Sequence, residues 1–330
     1  MKITKLIVRG SLMFTLALPV CANAQGQAAA YLNLGVDARI LGMGGAGTAV
    51  SSDANAAYWN PAGLSSVVQK EFAAMHTSLT LDRDYNFFSL ALPSKKKGLV
   101  YGFSVHRFSV SGIPETKVHN NDVDGNGKLD DPVLVGDNFA GTLYDFTNPN
   151  PNRATAPVRI FSYFEDSESR YSLSAAKKLS SKLRGGLSVN FLEQKLFTEK
   201  ADGMGMDFGL QYDYTDRVRF GFALKDAFES LSWSTGHRDE IPLTAVLGGS
   251  VRLKSDILLA ADVQKKEREN FAVRFGAEKW FMKNYGLRLG MNDGEFTVGA
   301  SAKMNEWSFD YAYNDNDLGS VQRISAIRKF

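Results

Sequence analysis

The chain has 330 residues, with 38 Lys and Arg against 36 Asp and Glu and a formal net charge of +2. That balance excludes the strongly basic footprint of a nucleic-acid binder. A single cysteine, Cys21, leaves no pair for a disulfide or a Cys-ligated zinc, and His76, His106, His119 and His237 stand without metal-ligand spacing.

The first element is an export signal. Lys2, Lys5 and Arg9 precede an almost uncharged apolar run from Ser11 to Val20, and Ala22-Asn23-Ala24 supplies a small-x-small cleavage site. Residues 1–24 are therefore expected to be removed, leaving a mature chain that starts near Gln25. The apolar run is too short to cross a bilayer as a helix, which takes about 20 residues. Cleavage removes Cys21 and three basic residues, so the mature chain has 35 basic residues against 36 acidic, a net charge of −1.

Residues 25–70 form the next unit, with a small, Ala- and Gly-rich stretch over 31–66. Gly42-Met43-Gly44-Gly45-Ala46-Gly47 fits G-x-G-x-x-G, but the dinucleotide fold also needs a buried strand before it, a helix after it and an acidic residue about 20 positions on. Here the stretch follows an export signal, and Asn60-Pro61 breaks its continuation. The reading is instead a segment of small side chains fitted into a confined space such as the lumen of a barrel, with Asn60-Pro61 setting the turn toward the first strand.

From Glu71 onward, polarity alternates with a period of two. Met204, Met206, Phe208, Leu210 and Tyr212 interleave with Gly205, Asp207, Gly209 and Gln211; Trp307, Phe309, Tyr311 and Tyr313 interleave with Ser308, Asp310 and Ala312. Such segments have one apolar face and one polar or small face. About fourteen strands are expected, near 71–81, 84–93, 98–110, 168–179, 183–197, 201–214, 217–225, 243–253, 256–265, 271–281, 285–291, 295–303, 306–314 and 320–330. Every second connection is short, and the intervening set contains two long insertions, 111–167 and 226–242. Many strands are near the 9–11 residues that cross a membrane when tilted. Short turns on one side and long loops on the other are the pattern of an outer-membrane barrel. Tyr85, Tyr212, Tyr214, Trp280, Phe281, Tyr285, Trp307 and Tyr313 near strand ends read as interfacial girdles, and Phe330 resembles the terminal aromatic of outer-membrane proteins. The expected fold is all-β: an outer-membrane barrel over 71–330 with an N-terminal plug, solvated by membrane lipid.

Within 111–167, expected to be extracellular, Asp122-Val123-Asp124-Gly125-Asn126-Gly127-Lys128-Leu129-Asp130 resembles a calcium loop. Asp122, Asp124, Asn126, the Lys128 carbonyl and Asp130 place oxygen ligands at alternate positions, and Gly127 makes the sharp turn. Val133 stands where a bidentate carboxylate belongs, so the expectation is a weak Ca²⁺ site that orders the loop, with a plain polar loop as the alternative.

Gly35-x-x-Ala38-Arg39-x-x-Gly42-Met43-Gly44-Gly45-Ala46, then Ala49, Asp53, Ala54, Ala57 and Asn60-Pro61-Ala62-Gly63-Leu64, resembles the opening of the PorV/PorQ family. That family is related to the FadL-type transporters of long-chain fatty acids and aromatic hydrocarbons. The resemblance implies a fourteen-stranded barrel whose N-terminal segment folds inward as a plug or hatch, with Ala38, Arg39, Gly42, Gly44, Gly45, Asp53, Asn60, Pro61 and Gly63 as its motif residues. It also implies two functions: passive transport of a hydrophobic small molecule, or service in a type IX-like secretion system that receives exported protein cargo. No nucleophile–base pair or paired-carboxylate cleft stands out, so no enzyme activity is expected.

Overall fold

The computed structural model describes residues 28–80, 82–94, 98–118, 158–316 and 319–330. Their strands are β1 (Glu71–Leu79), β2 (Arg83–Pro93), β3 (Leu99–Val118), β4 (Val158–Lys178), β5 (Leu183–Leu196), β6 (Glu199–Asp213), β7 (Val218–Trp233), β8 (Arg238–Glu240), β9 (Thr244–Arg252), β10 (Ile257–Lys266), β11 (Phe271–Phe281), β12 (Tyr285–Asn292), β13 (Glu295–Met304), β14 (Trp307–Asn316) and β15 (Gly319–Lys329). Each pairs antiparallel with its neighbours. β1 pairs with both β2 and β15, and β7 with both β6 and β9. Fourteen strands therefore close into a barrel, and β8 is an extra piece laid against β7.

The period-two pattern places side chains as expected, with polarity inverted relative to a soluble protein. On β10, Leu259 and Val263 are 39% and 44% exposed while Asp262 between them is 1% exposed. Phe88, Phe103, Leu173, Phe275, Leu289 and Ile324 continue the outward apolar band, and Ser89, Ser104, Gln211, Thr297 and Asp310 are among the buried inner residues. Alternation alone sends one set out and the other in. Tight turns keep register. Asp293 and Gly294, both at positive φ, join β12 to β13 in the manner of a hairpin turn whose twist matches its strands.

Several boundaries differ from the expectation. The stretches 111–118 and 158–167 extend β3 and β4, so the connection outside the described residues runs over 119–157. The expected insertion 226–242 is mostly strand: β7 continues to Trp233, turns over 234–237 and returns as β8. Its alternation is broken by register shifts between β6 and β7, at Met204/Met206 and Met206/Phe208, and by positive φ at Asp226 and Phe228. A bulge moves a side chain to the wrong face for its sequence parity, so the stretch reads as loop. Pro242, which cannot donate to a ladder, lies in the break between β8 and β9. The barrel is thus tall on one side, where β3 to β7 span 14 to 21 residues; that end is called the loop end, and the opposite one, which carries turns such as 214–217 and 282–284, the turn end. Two of the aromatic residues expected on the outside, Tyr85 and Trp280, lie on the inner face. Tyr85 is fully buried, and Trp280 packs beside Gly286 and over Arg288. The signal segment 1–24 and the candidate calcium ligands Asp122, Asp124, Asn126, Lys128 and Asp130 lie outside the described residues.

Residues 68–70 are exposed, while residues 28–67 run inside the barrel before β1. They form short helical turns, including α1 (Ala38–Leu41), α2 (Ala56–Trp59) and a 3₁₀ turn over Pro61–Ser66. Too short to hold themselves together, these turns depend on the wall.

Candidate functional site

The inner segment lies on a belt of inward-facing glycines contributed by eight strands: Gly102, Gly186, Gly209, Gly221, Gly248, Gly276, Gly290 and Gly299. A Cβ placed at Gly42 would stand 2.9 Å from the Gly299 Cα, so two backbones meet there directly. The same closeness holds between Gly290 and Gly44, Gly276 and Met43, and Gly186 and Pro61.

The motif residues do separate jobs on this belt. The Ala38 amide donates to Ser325 Oγ at 3.1 Å, and the Gly44 amide to Thr297 Oγ1 at 2.9 Å. Gly44 and Gly45 have φ of 67° and 76°, which lets the chain reverse beside the wall. Asp53 Oδ1 accepts from the Asn55 amide and so fixes the turn into α2. Asn60 is the most connected. Its Nδ2 donates to Thr48 O and Leu210 O at 2.9 Å and to Phe222 O at 3.3 Å, while its Oδ1 accepts from Ala62 N. Pro61 opens the 3₁₀ turn, where its fixed φ suits a first helical position. Gly63 stands against the Ser51 carbonyl, where a side chain has no room. The wall answers with Asp262 to Thr48 N, Gln211 to Thr48 O and Ser51 O, and Glu71 to Ala54 N. Side chains of the barrel therefore satisfy backbone groups that the short turns leave open.

Arg39 anchors the turn-end side. Its guanidinium grips Glu278 with two bonds of 2.7 and 2.8 Å; Glu278 also accepts from Arg288 at 2.8 Å, and Arg288 reaches Asp310 at 3.4 Å. Two arginines and two carboxylates make a formally neutral buried chain, the condition under which buried charge is tolerated. Beside it, burial pushes the Asp37 carboxyl well above the usual carboxylate range, with Asp53 and Asp310 adding to the effect. Burial raises Asp53 as well, against the opposing pull of Arg39.

Toward the loop end the lumen is aromatic and apolar. Tyr31, Leu32, Val36, Tyr58 and Trp59 of the inner segment pack with Met75, Tyr85, Phe87, Leu192 and Leu231 of the wall. Tyr31 stacks on Phe108 at 6.0 Å, Tyr58 meets Trp59 edge-on at 4.9 Å, and Tyr85 shares a 2.8 Å hydrogen bond with the buried His106. The alternation showed which wall residues are apolar, but Tyr31, Tyr58 and Trp59 had no periodic signal.

Beside this cluster a charged group ties three strands together. Arg170 of β4 contacts Asp207 of β6 at 2.9 Å and Asp226 and Glu229 of β7 at 3.1 and 3.4 Å. Asp207 Oδ1 also accepts the Asp226 amide at 2.8 Å, which holds the bulged backbone in place. The three carboxylates lie close enough to share an ion, and the Arg170 guanidinium supplies the positive charge among them. Sequence reasoning missed this group because inward charges on a barrel look like any polar face.

No protein-family model matches the chain, and no curated protein matches its sequence. Solved structures do match. They include the CymD monoaromatic hydrocarbon channel (15% identity, 90% of this chain and 98% of that one, TM-score 0.55), the Pseudomonas putida toluene transporter TodX (14%, 89% and 96%, 0.56) and a Pseudomonas aeruginosa FadL homologue (12%, 87% and 96%, 0.53). The chain shares its fold with these FadL-type barrels.

Proposed function

We propose that this chain is an outer-membrane channel for the passive entry of hydrophobic small molecules. The observation that carries this reading is the aromatic and apolar cluster that fills the bore toward the loop end, inside a wall whose outer face is itself apolar. An apolar outer band on a closed barrel is what lipid solvates, so the turn end is assigned to the periplasm and the tall loop end to the outside. Hydrophobic solutes partition into an aromatic lumen without leaving polar groups unpaired. The inner segment, belted across the bore, serves as the hatch they must pass. The solved neighbours named as toluene and monoaromatic hydrocarbon channels support the same reading through their fold. No step of this function needs a catalytic group or a cofactor.

The test is uptake of labelled toluene and of a labelled long-chain fatty acid by cells with and without the gene, with surface display of exported cargo followed in the same strains. Loss of uptake with display unchanged is expected. Unchanged uptake of both compounds would overturn the channel reading, and lost display would return attention to the type IX-like alternative.

A further inference from the structure

Large side chains do not cover the outer wall evenly. From β9 to β11 the outward positions include Gly249, Ala261 and Ala277. Gly249 and Ala261 are cross-strand partners, with Phe220 paired to Gly249 on one side and Phe275 to Ala261 on the other. Ala277 stands in the next row, between Leu259 and Leu289. A Cβ added at Gly249 would come no closer than 3.8 Å to Phe220, so the space above it is open. The small residues thus form the floor, and the rings and leucines the banks, of a groove of about 930 Å³. Its two polar lining residues, Ser250 and Thr297, occupy strand positions that face the bore.

The two ends of the groove differ in charge. Toward the turn end, Lys279 follows Ala277 on the same face, about 7 Å along the strand. Its ammonium donates to the Ser255 carbonyl in the β9–β10 turn, next to Lys254. Arg252 and Arg217 meet beside them, where the Arg252 amide donates to the Arg217 carbonyl. None of these four basic side chains is ion-paired among the described residues. Asp216 and Asp256 are the acidic residues of the two turns, 214–217 and 253–256. Toward the loop end the sign reverses: the connections after β10 and β12 hold Glu267, Glu269 and Asp293 against Arg268.

We infer that this groove holds one acyl chain of an anionic phospholipid whose phosphate lies at Lys279 and Lys254. The inference rests on the membrane reading of the barrel, with its turn end in the periplasmic leaflet. Lipid is the medium that an outward apolar band faces. A basic border attracts anionic headgroups, and an acidic one repels them, so the headgroup sits at the turn end and the chain runs up the wall. A second copy of the barrel fits the groove poorly. Two convex walls meet along a line, and Phe220 and Phe275 would hold the partner off the floor, whereas a flexible chain follows it.

The test is native mass spectrometry of the full-length barrel with added dioleoylphosphatidylglycerol or dioleoylphosphatidylcholine, which share their chains and differ in net charge. One phosphatidylglycerol per barrel is expected, held about tenfold or more tighter than phosphatidylcholine. Lys254→Gln with Lys279→Gln should abolish that preference and leave phosphatidylcholine unchanged. Lys177→Gln, at an exposed lysine near the turn end of β4 on the far side of the barrel, should change neither. Ala261→Phe fills the floor and should weaken both lipids; Ala277→Leu, a smaller filling, should do the same if the first variant fails to assemble. Equal retention of the two lipids by the wild type, or a preference that survives the lysine pair, would overturn the inference while leaving the channel reading intact. So would a dimer that Ala261→Phe dissociates, since a second copy would then occupy the groove. A chain that stays in solution without detergent or lipid would overturn both readings.

Discussion

Asn60 of the inner segment reaches the Leu210 carbonyl of β6 because Gly209 beside it has no side chain. A methyl group there would meet Asn60 Oδ1 and the Pro61 ring. Gly209→Ala should therefore displace Asn60 and leave buried carbonyls unpaired, at about 1–3 kcal/mol each. Gly249→Ala, whose added carbon comes no closer than 3.8 Å to Phe220, is the control. The temperature at which the barrel loses its heat-modifiable gel migration should fall for Gly209→Ala alone; equal behaviour of the two variants would remove the seat.

Arg39 and Glu278 should prove energetically coupled. Arg39→Met leaves Glu278 with Arg288 as its ion-pair partner, and breaking a buried pair costs about 3–5 kcal/mol. Adding Glu278→Gln should recover part of that loss, so the double variant is less damaged than the two single losses combined. Strict additivity in denaturant titrations would show that the pair does not anchor the segment.

Asp37 gives a pH dependence with a definite sign. Its folded-state carboxyl titrates above the unfolded one because it is buried, so its contribution is favourable at low pH and is lost as pH rises through the folded value. Asp37→Asn keeps an oxygen for the Arg39 amide and abolishes that penalty. The variant should match wild type near pH 4 and become the more thermostable of the two as pH rises. A constant difference across pH would contradict this.

Orientation is open to labelling. In a background with Cys21 replaced by Ser, Ser234→Cys in the turn between β7 and β8 should react with an impermeant maleimide on intact cells, whereas Lys283→Cys between β11 and β12 should react only after lysis. Both positions are exposed in the structure, so a reversed result would invert the barrel.

We propose that Asp122 and Asp124 bind calcium with Asn126, the Lys128 carbonyl and Asp130. Millimolar Ca²⁺ should then protect 119–157 from proteolysis, and an Asp122→Ala, Asp124→Ala pair should abolish the protection. Cleavage of the wild-type chain at the same rate with and without Ca²⁺ would leave an ordinary polar loop.

Wherever lipid is expected on one face of a strand, the fold was legible in the sequence. From β9 to β15 the expected boundaries fall within two residues of the observed ones, because apolar and polar residues alternate without interruption. Legibility failed where that constraint lapses. Residues 111–115 carry Gly112 and Pro114 in an extension without an exposed large apolar side chain, and 226–233 changes parity at its bulges. Asn60, Arg39 and the Gly-rich run could be singled out by motif. Their partners Glu278, Asp262, Gln211 and Thr297 could not, since they are scattered over distant strands and nothing local marks an inward polar residue as a ligand for another backbone. The Arg170 group was hidden for the same reason.

The glycine belt also bears on how the cylinder stays shut. Residues 28–66 touch strands on both sides of the β1–β15 seam, from Gly102 on β3 round to Ser325 on β15. Glu71 of β1 holds the Ala54 amide while Ser325 of β15 holds that of Ala38. The joint between the first and last stave is therefore tied twice, by its own ladder and by a cord drawn across the bore behind it.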